Sequence, residues 1–280
     1  MPASAGPTRP RGRRTPVSGD AVSLRVERRG AAAFLTFDRP AVLNALDLAT
    51  ADLFLAAVRT AAADEAVRVV VMRGAGRAFM AGGDVATFLA DGAAAEDRIA
   101  AIIAALHEAL QILATCDKPV LAAIHGAVAG AGVSLMLAAD LVIAADDARL
   151  TLAYTRLGTS ADGGASCSLP RVVGLRKAME IALLNPVIDA AEAQRLSLVN
   201  RVVPADEFPA AVEALAERLA AGSLVACGAM KRLLRASFAR SFPDQLAAEA
   251  ESFLACAASP DFREGVAAFI AKRPPRFPGT

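Results

Sequence analysis

The chain has 280 residues, 55% of them hydrophobic, enough to bury a full core in one main domain with an appended lobe. Its 30 basic residues against 29 acidic ones leave a net charge of +1, which supplies no field for nucleic acid or for an anionic membrane surface. Cys116, Cys167, Cys227 and Cys256 stand far apart, with no Cys-x-x-Cys pair and no adjacent histidine, so zinc and dithiol chemistry are excluded and buried, reduced thiols of a cytoplasmic protein are expected.

Residues 1–20 combine Pro, Gly and Ser with Arg9, Arg11, Arg13 and Arg14 and contain no apolar run, the composition of a disordered extension without a secretory signal. Val22, Leu24 and Val26 then alternate with polar residues, and beyond the turn at Arg29-Gly30 a second strand is predicted from Ala33 to Phe37. Asp47 is placed to cap a helix reaching about Ala63. Val67 to Met72 reads as a strand buried on both faces. A long helix follows from about Glu96 to Ala114, and His107 within it reads as a surface or packing residue.

The segment from Pro119 to Asp140 has the most specific pattern. A β-rich apolar run too short for a helix breaks at Gly126, Gly130 and Gly132 and resumes as an Ala/Leu/Met helix. Residues 119–139 carry no charge, which raises a transmembrane span, but Pro119, the glycines and His125 argue against insertion. A strand, a tight turn and a helix start present unpaired N–H groups and a positive helix end where backbone can approach a ligand closely. Such a turn suits an oxyanion. A second glycine turn, Phe79-Met80-Ala81-Gly82-Gly83-Asp84, also follows a β-rich run. Further strands are predicted at Leu141 to Ala144, Leu150 to Leu152 and Leu198 to Val203. Helices are predicted at 176–184, 190–196 and 206–221, the last capped by Asp206, with two or three more between Ser223 and Ala271. Alternating strands and helices joined by right-handed crossovers stack into a β-β-α spiral.

These residues resemble the crotonase (enoyl-CoA hydratase/isomerase) superfamily across about 22 to 275. The markers are Asp38-Arg39-Pro40 with Asn44-Ala45, Phe79-x-Ala81-Gly82-x-Asp84, Lys118-Pro119-Val120, His125-Gly126-x-x-x-Gly130-x-Gly132 and Asp140. Leu157-Gly158, Leu169-Pro170-Arg171-x-x-Gly174, Leu198-Val199-Asn200 and Arg263-Glu264-Gly265 continue them in order. The resemblance implies an α/β fold with a crotonase-like β-β-α spiral core over 21–200 and a helical C-terminal trimerisation lobe over 201–280. It further implies homotrimers or dimers of trimers, acyl-CoA thioester substrates and no permanently bound cofactor, coenzyme A being part of the substrate. By the same resemblance Gly83 and Ala131 supply the two N–H groups that hold the thioester oxygen. Ala81, Asp84, Val85, Ala86, Phe253, Phe269 and Lys272 match coenzyme contacts, although Asp84 is also suited to ordering its own turn.

The catalytic positions depart from the hydratase pattern. Where hydratases of this family carry two glutamates, the chain has Ser134 and Tyr154, so water addition lacks its usual acid and base. Asp162, in Gly158-Thr159-Ser160-Ala161-Asp162-Gly163-Gly164, instead matches the proton-moving aspartate of the isomerase branches, above all the epoxyphenylacetyl-CoA isomerases, although Ala161 stands where that branch usually has proline. An Asp before Gly-Gly is equally a helix cap or turn residue. Tyr154 reads as pocket wall or substrate contact, and Ser134 as a small helix residue bonded to a backbone carbonyl. The resemblance therefore favours an acyl-CoA isomerase in fatty acid or aromatic acid degradation. An enoyl-CoA hydratase and a catalytically weak acyl-CoA-binding protein are the alternatives.

Overall fold

The computed structural model describes residues 23–90 and 94–278; the extension expected at 1–20 lies outside them. Strands β1 (Leu24–Arg29) and β2 (Ala32–Phe37) form the expected antiparallel hairpin, and helix α1 (Leu48–Ala63) starts at Asp47, whose carboxylate accepts the Thr50 N–H. The chain then runs through β3 (Val69–Gly74), β4 (Ala78–Met80), α2 (Val85–Ala90), α3 (Ala95–Thr115), β5 (Val120–Ile124), β6 (Ala127–Ala129), α4 (Ala131–Ala138), β7 (Leu141–Ala145) and β8 (Arg149–Thr151). Next come α5 (Ala165–Val173), α6 (Leu175–Leu184), β9 (Ile188–Asp189), α7 (Ala190–Arg195) and β10 (Arg201–Val203). Helices α8 (Phe208–Ala220), α9 (Leu224–Ala236), α10 (Phe242–Ala257) and α11 (Pro260–Ile270) complete it.

The strands divide into a six-stranded sheet, β1-β2-β3-β5-β7-β10, and a four-stranded sheet, β4-β6-β8-β9. In each of the pairs β3–β4, β5–β6 and β7–β8 the first strand joins the larger sheet and the second the smaller, and helices return the chain to the next pair. That repeat is the β-β-α spiral. Alternation along the strands assigns the two faces of the larger sheet. Leu35, Phe37, Val70, Met72, Val120, Ala122 and Ile124 enter the main core under α1, α3 and α4. Phe34, Val69, Val71, Leu121 and Ala123 enter a second core covered by Val212 and Ala216 of α8. Strands buried on both faces explain why β3 and β5 are continuous apolar runs. β10 pairs with β7 and α8 covers the sheet, so residues 201–220 pack with the spiral.

Several family markers prove to be fasteners. The Lys118 ammonium, 6% exposed, donates to the Ala61 and Asp64 carbonyls, closing the end of α1, and burial draws its pKa below the ordinary lysine value. Lys231 donates to the Leu113 and Lys118 carbonyls and pairs with Asp140 at 2.8 Å, while Asp140 also accepts the Val120 N–H and pairs with Arg235. Lys118→Met leaves the buried Ala61 carbonyl without its donor, at a cost of about 1–3 kcal/mol, while the Asp64 carbonyl keeps the Val67 N–H. A fall of that size in the unfolding free energy, seen as a lower urea midpoint at unchanged slope, is the expected result.

The structure corrects four expectations. The 119–140 segment holds an additional strand, β6, between the turn at Gly126 and the helix, because three residues suffice to pair with β4 and β8. Helices α2 and α5 were not predicted; α5 hides behind two glycines and contains Pro170. Asp206 does not cap α8: Glu207 occupies that position, and the Asp206 carboxylate accepts only the adjacent Glu207 N–H. None of the four cysteines is fully buried and Cys167 is exposed, since each lies on a partly outward helix face or end. Helix α3 is long and apolar enough to cross a membrane, but Ile102, Leu106, Ala109 and Leu113 seat it in the core.

Candidate active site

Strands β4 and β6 are parallel neighbours, so the turns that leave them emerge at the same end. Gly82 (φ 103°) and Gly130 (φ 49°) turn the chain there in conformations that favour glycine. They stand face to face: a Cβ placed on Gly130 would lie 3.4 Å from the Gly82 Cα. Gly132 lets α4 press onto β4, where a Cβ would meet the Met80 carbonyl oxygen at 2.3 Å. The next N–H groups after the facing glycines belong to Gly83 and to Ala131, the first residue of α4. Among the described residues neither N–H has a backbone acceptor. Two free donors on adjoining turns, one at the positive end of a buried helix, can hold a negatively charged oxygen.

The turn is braced from outside. Asn44 accepts the Arg39 N–H and donates to the Ala75 and Ala78 carbonyls. The Arg39 guanidinium pairs with Asp84 at 2.9 Å and with Asp47 at 3.1 Å. Asp84 therefore orders its turn with Arg39 of the early marker as its partner, while Asn44 holds β4, the strand that leads into it. Phe88 of α2 covers Gly83, its ring 2.9 Å from where a Cβ would stand; this wall was not foreseen because α2 was not.

Asp162 comes to the same place by another route. Ser134 lies three residues beyond Ala131, one turn along the same side of α4. Its fully buried hydroxyl donates to the Asp162 carbonyl at 2.9 Å and lies 2.8 Å from the Tyr154 hydroxyl. Tyr154, on a 3-10 turn after β8, donates a hydrogen bond to the Asp162 carboxylate. Asp162 is not the cap of α5: Gly164 holds that position, and the carboxylate turns inward to Tyr154. Burial, then the bond to Asp162, raises the Tyr154 pKa, so the phenol stays a donor. Opposite, His107 of α3 accepts the Gly163 N–H at 3.1 Å through Nε2, a contact its reading as a packing residue did not include.

Residues 27–280 match the enoyl-CoA hydratase/isomerase family. The chain belongs to that family. A Rhodobacter capsulatus protein named probable enoyl-CoA hydratase is 42% identical, with 92% of this chain and 98% of that protein covered. The 1,2-epoxyphenylacetyl-CoA isomerase of Escherichia coli is 32% identical over 88% of this chain and 94% of its own. The crystal structure of an enoyl-CoA hydratase from Polaromonas sp. JS666 superimposes with a TM-score of 0.86 at 33% identity, covering 90% of this chain and 98% of the other. The recognised family and its α/β spiral therefore hold for this chain. Within the hydratase/isomerase frame, Gly83, Ala131, Ser134, Tyr154 and Asp162 converge. Ala81 donates its N–H to the Leu43 carbonyl, and Val85 and Ala86 lie exposed at the start of α2. Phe253 and Phe269, 66% and 85% exposed, lie on α10 and α11, and Lys272 follows α11 with φ 51°.

Proposed function

We propose that this family member is an acyl-CoA isomerase that moves a double bond, or rearranges a ring epoxide, through a thioester enolate. The observation that carries this reading is the closed Ser134–Tyr154–Asp162 network, one helical turn from the Ala131 N–H. In a 3-enoyl thioester the Asp162 carboxylate takes a proton from C2. The C–H electron pair becomes part of a dienolate whose oxygen lies between the Gly83 and Ala131 N–H groups. The new carboxylic acid then returns the proton to C4, leaving the 2-enoyl thioester and the original carboxylate.

The hydroxyls suit both states of the carboxylate. Three oxygen–oxygen contacts join Ser134, Tyr154 and Asp162. With Asp162 ionised, two hydroxyl protons serve them, Tyr154 donating to the carboxylate. With Asp162 protonated on the other carboxyl oxygen, Tyr154 still donates to Oδ1 and Ser134 to the Asp162 carbonyl, so the acid hydrogen stays free for C4. Tyr154→Phe preserves the ring and removes this donor to the carboxylate, and a loss of about tenfold to a hundredfold in kcat is expected.

A hydratase is the second reading, favoured by the name of the Rhodobacter relative. The ultraviolet absorbance of the conjugated enoyl thioester separates them. Gain from a 3-enoyl-CoA supports isomerisation. Loss from a 2-enoyl-CoA without gain from the 3-enoyl isomer supports hydration, and no change in either supports binding alone.

Assembly belongs to the same proposal. Phe242, Phe253, Leu254, Phe269 and Ile270 of α10 and α11 are exposed large apolar side chains, the kind of surface that an assembly covers. A homotrimer or dimer of trimers covers it and brings Phe253, Phe269 and Lys272 toward the coenzyme. Sedimentation at micromolar concentration is expected to show trimers or hexamers; monomer alone contradicts this.

A further inference from the structure

We propose that His107 is a positioning residue that fixes the Asp162 carboxylate by holding the peptide unit behind it; this rests on the reading of Asp162 as the proton carrier. The Asp162 carbonyl and the Gly163 N–H belong to one planar, trans peptide, so they point in opposite directions. The structure holds both ends. Ser134 of α4 donates to the carbonyl at 2.9 Å, and His107 of α3 accepts the N–H at 3.1 Å. The Asp162 carbonyl also accepts the Ala165 N–H at 3.2 Å, tying the unit to the start of α5. That peptide plane contains the Asp162 Cα, so holding it at both ends fixes the point from which the carboxylate reaches Tyr154. Both contacts must break for it to turn.

Space as well as hydrogen bonding is set from these two helices. Gly163 is buried with φ 57°. A Cβ there would lie 2.8 Å from the Ser134 Cβ and 3.5 Å from the Leu110 Cδ1, and Leu110 is one turn beyond His107 on α3. The glycine lets α3 and α4 close on the peptide from both sides. The chemistry of the histidine follows from its partner. A backbone N–H only donates, so Nε2 must be the bare acceptor and the imidazole neutral, with its proton on Nδ1; an imidazolium offers no acceptor. His125, the only other histidine, faces the Gly76 carbonyl at 2.9 Å through Nε2. A carbonyl only accepts, so there the proton sits on Nε2. The two histidines hold opposite tautomers.

Two experiments on the full chain test this. Nitrogen-15 NMR of protein labelled at histidine, at neutral pH, is expected to show one Nδ1–H and one Nε2–H ring. His125→Gln should remove the Nε2–H set and leave the Nδ1–H set. Two Nε2–H rings, or a His107 ring protonated on both nitrogens, overturns the proposal without reference to catalysis. The second experiment compares His107→Gln with His107→Met, side chains of equal length of which only the first ends in an amide acceptor. Met is expected to lower kcat about tenfold or more with KM within about threefold, and Gln to restore most of it. Wild-type kcat in a stable Met variant, or equal losses in both variants, overturns it. Full activity in Asp162→Asn would instead remove the proton-carrier reading, and the NMR result would still report whether His107 holds the peptide.

Discussion

Ala131→Pro is expected to lower kcat by about 10²–10³-fold, the usual cost of losing one donor to an oxyanion. The substitution is suited to its purpose because Ala131 is the first residue of α4, where proline is well tolerated and the N–H has no helical partner to lose. It removes one hydrogen-bond donor without adding charge. The preceding residue is Gly130, which relieves the restriction proline places on its neighbour. Thermal unfolding close to wild type must accompany the loss, since the facing glycine turns are tightly packed. A stable variant with undiminished turnover would show that the Ala131 N–H does not hold the developing charge.

Asp162→Asn is expected to abolish conversion of 3-enoyl-CoA to 2-enoyl-CoA, with a fall in kcat of about 10²–10⁴-fold, the range of general acid–base catalysis. The amide keeps the shape of the side chain and an oxygen to accept from Tyr154, so folding and acyl-CoA binding should change little. Binding is measured by calorimetry with a saturated acyl-CoA. Neither neighbour can substitute for the carboxylate: Ser134 is a neutral hydroxyl, and burial keeps Tyr154 protonated. If turnover instead survives within about threefold, the proton travels through another group.

The parts of this site that were legible in the sequence are those written locally. Glycine spacing disclosed both turns, because positive φ and close backbone approach select glycine at Gly82 and Gly130. Alternation of Leu24 and Val26 with polar residues disclosed β1, continuous apolar runs disclosed β3 and β5, and the placement of Asp47 disclosed the start of α1. The resemblance selected Asp162, where local chemistry left a cap or turn residue equally open. What escaped depends on contacts between distant residues. Ser134 was expected to bond a backbone carbonyl, but that carbonyl lies 28 residues away, and His107 reaches Gly163 across 56. No helical periodicity distinguishes a histidine that accepts one particular N–H from one that merely packs. Strand β6 escaped because three residues carry no measurable period, and α5 because its glycines and Pro170 resemble a loop.

The most direct test follows the proton itself. Wild-type enzyme and Asp162→Asn are incubated with a 3-enoyl-CoA in deuterium oxide, and exchange at the α carbon is followed by proton NMR. The wild type is expected to form 2-enoyl-CoA and to exchange deuterium into the α position, while the variant, still binding acyl-CoA, does neither. Exchange by Asp162→Asn at the wild-type rate would contradict the assignment of Asp162 as the group that takes and returns the proton.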